Sequence, residues 1–99
     1  MTWTVDAQCS GDADRGWTCF VAIRTRGELV SEHEVRVASV DLARLAPGAD
    51  DPTELVERSI AFLLEREPPT SILRTFDLPV IGRFFPEYES TIRRRGDPT

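Results

Sequence analysis

The chain has 99 residues, 40% apolar and 29% charged, with a net charge of −5. That is enough for one core without disulfide staples, and the acidic balance argues against general affinity for nucleic acid. No apolar run nears the roughly 20 residues a bilayer requires, and the opening MTWTVDAQC has neither the basic start nor the apolar segment of a secretory signal, so a cytoplasmic location without membrane contact is expected.

All 12 basic residues are Arg, and with Ala, Asp and Glu common this usage points to a GC-rich bacterial genome. Thr2 to Cys9 alternates: Trp3, Val5, Ala7 and Cys9 fall on one face, Thr4, Asp6 and Gln8 on the other. A period of two is the mark of a half-buried strand. Ser10 to Gly16 is a turn by composition. Trp17 to Thr25 reads as a second strand, with Trp17, Cys19, Val21 and Ile23 on one face and Phe20 and Ala22 on the other. It is apolar on both sides near its middle, which suits a central position. Cys9 and Cys19 are expected as reduced, packed thiols, with a cross-strand disulfide as the alternative.

After the Arg26-Gly27 turn, Glu28 to Val37 gives a third strand. Leu29, Ser31, His33, Val35 and Val37 share a face; Glu32, Glu34 and Arg36 take the opposite one. Short turns between sequential strands predict a three-stranded antiparallel meander. The period then changes. Ser39 is placed as the cap of a short helix ending at Pro47-Gly48. Asp51-Pro52-Thr53-Glu54 predicts a helix start, with Asp51 as cap, Pro52 at the first position and Glu54 completing a capping box. That helix runs to about Arg66, with Leu55, Val56, Ser59, Ile60, Leu63 and Leu64 inward and Glu57, Arg58 and Glu65 facing water. Pro68-Pro69 stops it. A short turn is placed from Thr70 or Ser71 through Arg74. Asp77 is the expected cap for Leu78 to Phe85, and Pro86 opens a last helical segment through Arg95. Residues 1–95 are expected to form one domain and 96–99 a frayed tail.

Catalytic and metal signatures are absent from this pattern. His33 is the single histidine, and on a strand its neighbours Glu32 and Glu34 point to the opposite face. The carboxylate pairs Asp12/Asp14, Asp50/Asp51 and Glu87/Glu89 fit turn and cap duty. No phosphate-loop spacing and no nucleophile-elbow motif occurs. No cofactor or metal is expected, and no enzyme. The segment Ser71–Arg95 concentrates three of the five Phe and the single Tyr. Its candidate interface residues are Phe84, Phe85, Tyr88, Arg93, Arg94 and Arg95, because aromatics and Arg concentrate where proteins associate. Core packing of the same rings is the alternative, as is dipole compensation by the three terminal arginines.

The span DLARLAPG…LVERSIAFLLEREPPTSILRTFDLPVIGRFFPEYE, covering Asp41 to Glu89, resembles a family of small, uncharacterised bacterial proteins of about this length. The resemblance implies a shared fold and carries no activity. The strand-strand-strand-helix order is also loosely similar to the HicB-type antitoxin domain, which would imply pairing with a small toxin. The short Arg26-Gly27 turn and the lack of a DNA-binding segment depart from that family. The sequence therefore predicts an α+β domain: a three-stranded meander covered by one main helix and closed by a C-terminal short-helix unit. Its expected role is that of a binding, regulatory or self-associating module with a protein partner; a small-ligand-binding protein is the alternative. Phe20, Ala22 and Val30 are expected on a partly exposed second sheet face.

Overall fold

The computed structural model describes residues 2–96, with side chains described through Arg93. Three long strands come first: β1 (Thr4–Asp12), β2 (Gly16–Thr25) and β3 (Glu28–Val37). Helices α1 (Ser39–Leu45) and α2 (Thr53–Leu64) follow, then a 3-10 turn at Pro69–Ser71 and a short strand β4 (Thr75–Asp77). A second 3-10 turn at Leu78–Val80 leads into α3 (Ile81–Phe84), and α4 (Tyr88–Gly96) ends the described chain.

The sheet has four strands in the order β1-β2-β3-β4, and β4 runs parallel to β3. The expected three-stranded antiparallel sheet is thus corrected to a mixed one. β1–β2 and β2–β3 pair antiparallel as the alternation required, but β4 has only Phe76 facing inward. Three residues with one apolar position carry no readable period. What places β4 is non-local: Val35 pairs with Phe76, and the Glu34 N–H donates to the Arg74 carbonyl at 2.6 Å.

The turns follow from backbone chemistry. Arg26 and Gly27 both have positive φ (54° and 80°), the geometry of a two-residue hairpin turn whose twist matches its strands. The β1–β2 turn is tighter than expected, because the strands run on to Asp12 and restart at Gly16. Asp12 Oδ1 accepts the backbone N–H groups of Asp14 and Arg15, closing that turn.

The inner sheet face carries Ala7, Trp17, Cys19, Val21, Ile23, Val35 and Val37, all buried. α2 lies across β1 and β2 and seals them with Leu55, Val56, Ile60 and Leu63. Phe62, which the helix spacing had not placed inward, is also fully buried, because α4 packs on that flank of α2. Leu64 is only half-buried. The outer sheet face keeps Phe20 (57% exposed), Val30 and a half-buried Ala22 open to solvent. Leu29 is exposed rather than inward, since a bulge between Ile23 and Arg24 shifts the register there.

Three cap expectations change. Ser39 does not cap α1; the cap residue is Ala38, and the Ser39 hydroxyl instead donates to the Ala13 carbonyl, tying α1 to the first hairpin turn. Pro52, not Asp51, is the residue flanking α2. Asp51 still accepts the Thr53 N–H at 2.9 Å, and hydrogen bonds from Thr53 hold its carboxyl below the usual range. Asp77 makes no cap hydrogen bond; it pairs with Arg36 at 2.7 Å across β3 and β4.

The cysteines are not free thiols. Cys9 and Cys19 form a disulfide. They are direct partners in the β1–β2 register, with Cα atoms 4.0 Å apart. The Ala7 N–H points away from β2, toward the Glu57 carboxylate, so Ala7–Val21 and, two residues on, Cys9–Cys19 are non-hydrogen-bonded pairs. That pair type brings side chains closest. The expectation of free thiols rested on a reducing compartment and on packing within strands; the register instead favours the cross-strand disulfide given as its alternative.

Candidate functional site

The C-terminal third builds a groove. α2 contributes Leu63 to its floor, the segment before β4 contributes Ile72 and Leu73, β4 contributes Phe76, and α3 contributes Ile81 and Phe84. The cavity is about 330 Å³, at the lower end of the roughly 300–1,000 Å³ typical of ligand sites. Phe76 and Ile81 are buried and form its base. Phe84 is 67% exposed and Leu73 52%, so two large apolar side chains stand up at its rim. Glu67 and Ser71 supply polar groups at the edge.

The flank of the groove is rigid. Phe85 is half-buried and meets Phe62 edge-on, ring centroids 5.9 Å apart. Phe62 meets Tyr88 in the same manner at 5.3 Å. The Arg66 guanidinium lies 3.5 Å from the Phe62 centroid and donates to the Phe62 carbonyl at 3.0 Å. Edge-to-face pairs and a stacked guanidinium each add to simple burial. Pro86 breaks the helix between α3 and α4, so Phe84 and Tyr88 do not continue one face.

The six candidate interface residues therefore separate. Phe84 and the half-buried Phe85 line the groove. Tyr88 is corrected to a core residue at 1% exposure. Ser59 donates to the Leu55 carbonyl, which leaves its oxygen to accept the Tyr88 hydroxyl at 2.7 Å. Burial pushes the Tyr88 pKa up to about 12, against the opposing charges of Arg44 and Arg58. Arg93 is exposed on α4. The side chains of Arg94 and Arg95 lie outside the described residues. Ile72, Leu73 and Ile81 were missed as groove residues; their apolar character was visible, but only β4 and the break at Pro86 bring them together.

His33 is buried on β3, not a surface group. Its Nδ1 lies 2.8 Å from the Leu73 carbonyl, which can only accept, so the neutral ring carries its proton there. Nε2 then accepts the Ser31 hydroxyl at 2.9 Å. This pins the Leu73 segment, and hence one rim of the groove, to the sheet. Two other residues expected in water also have structural positions. Glu57 is half-buried and accepts the Ala7 N–H at 3.0 Å. Arg58 is half-buried, with Nε and Nη1 sealed from solvent and without a hydrogen-bond partner among the described residues.

No group of three or more His, Cys, Asp or Glu among the described residues is placed to hold a metal ion. No helix among them is long and apolar enough to cross a membrane. No family model, no curated protein and no solved structure matches the chain.

Proposed function

We propose that the protein is a small self-associating binding module, and that its contact surface is the C-terminal groove. The observation that carries this reading is a knob and a hole on one patch: the exposed Phe84 ring stands beside an apolar cavity with room for an aromatic side chain. A patch with both parts is complementary to itself across a two-fold axis, which is the requirement for an isologous dimer. Phe84 of one copy enters the groove of the other, and the reverse contact forms at the same time. Aromatic and arginine residues at the centre of a contact carry most of its energy.

The test is molecular mass by analytical ultracentrifugation across a concentration series, for the native chain and for Phe84→Ala. A dimer is expected for the native chain and a monomer for the variant. The variant should keep its folding stability to within about 0.5 kcal/mol, since an exposed ring contributes little to the fold. A native chain that stays monomeric at the highest soluble concentration excludes the proposal.

A further inference from the structure

A second concavity, of about 680 Å³, opens at the end of the sheet where the β1–β2 turn meets the start of α1 and the residues around α3. Three arginines line it: Arg15 from the turn, Arg36 from β3 and Arg83 from α3. Two carboxylates also line it, and each is already engaged. Asp77 holds Arg36 at 2.7 Å, and Asp41 holds Arg44 at 2.9 Å. Arg15 and Arg83 make no ion pair among the described residues. Asp12, next to Arg15 in the turn, spends an oxygen on two backbone N–H groups and does not line the concavity; nor does Asp14. In a chain of net charge −5, this is a locally positive site.

Trp17 adds a further donor to this lining. Trp17 lines the concavity and is 9% exposed, so nine-tenths of it is buried. Its indole N–H has no hydrogen-bond partner among the described residues. That N–H is not among the atoms sealed from solvent, so it is a donor free for a ligand. The Ser10 and Thr18 hydroxyls line the same space. Both carboxylates of the lining are paired, which leaves Arg15 and Arg83 as its unpaired charges.

We propose that this concavity binds a small phosphate-bearing ligand. Arg15 and Arg83 supply charge-assisted hydrogen bonds to the phosphate oxygens, and the Trp17 indole donates a further one. A phosphate monoester brings nearly two negative charges and three terminal oxygens, which matches two unpaired guanidinium groups and a neutral donor better than a carboxylate does. The site borders the groove at Val80 and does not depend on self-association.

The indole provides its own readout. In a Trp3→Phe background, Trp17 is the single tryptophan. Its fluorescence is followed while inorganic phosphate replaces chloride at constant ionic strength, with acetate as the parallel arm. A saturable change with phosphate is expected, and none with acetate. Arg15→Gln and Arg83→Gln, both at exposed positions, should each weaken the apparent affinity about tenfold or more, with the far-ultraviolet circular dichroism unchanged. Absence of a saturable phosphate response, an equal response to acetate, or a response undiminished in both arginine variants overturns the proposal.

Discussion

Tyr88 shows how far a single residue can depart from its apparent role. In the sequence it sits in an aromatic and arginine-rich stretch, where contact and core packing are both open readings. In the structure it is the largest fully buried side chain, with its hydroxyl satisfied by Ser59. Its raised pKa has a thermodynamic consequence. The phenol stays protonated in the fold to about pH 12, whereas the unfolded chain releases that proton near the ordinary value of 10.0. The contribution is therefore fully present below pH 10 and is lost as pH rises from there through about 12. The drop is about 2–3 kcal/mol over that window. Urea denaturation at stepped alkaline pH should show it, and Tyr88→Phe should flatten it. A Tyr88→Phe curve that falls as steeply as the native one would show that other groups set the alkaline limit. Phe62, next to Tyr88, is the counterpart of Phe84. Phe62→Ala should cost about 3–5 kcal/mol, measured by the same denaturation, because it empties a core site.

At the scale of elements, what was legible depended on period and length. β1, β2 and β3 announce themselves by alternation over eight or more residues, and α2 by its inward face and its stop at Pro68-Pro69. β4 was not legible, because its three residues are a strand only by virtue of β3 beside them. The Cys9–Cys19 bridge was legible in principle: once the first turn is fixed at residues 13–15, the register places the two cysteines opposite each other. Its effect is open to measurement. Closing a loop of this length, with a sequence separation of 10, contributes about 2–3 kcal/mol in the chain-entropy account. Reduction should lower the thermal midpoint, and Cys9→Ser/Cys19→Ser should reproduce the reduced value. Alkylation without reductant followed by mass measurement should find no reactive thiol in the native protein; two modified cysteines would mean the strands pair without the bridge.

For the molecule as a whole, the outline of a sheet covered by helices on one face was readable from composition and alternation, because it needs no knowledge of which element touches which. The site was half readable. Phe84 and Phe85 were named from the sequence, but the groove also needs Leu73, which the His33 ring holds by its carbonyl, and Phe76, which arrives with β4. Those contacts span 40 residues of sequence separation, and local pattern carries no information about them. The arginine concavity was not readable either: Arg15, Arg36 and Arg83 come from three distant segments and look unremarkable in each.

The hydrogen bond from Ala7 to Glu57 also guards one border of the sheet. β1 is an outer strand, and an outer strand with unused amide groups is a template onto which another strand can add without limit. Here a carboxylate from α2 occupies one of those amides near the middle of the strand, and an incoming backbone would have to evict a negative charge to reach it. At the opposite border, β4 is only three residues long. Neither border invites a ribbon that grows by strand addition.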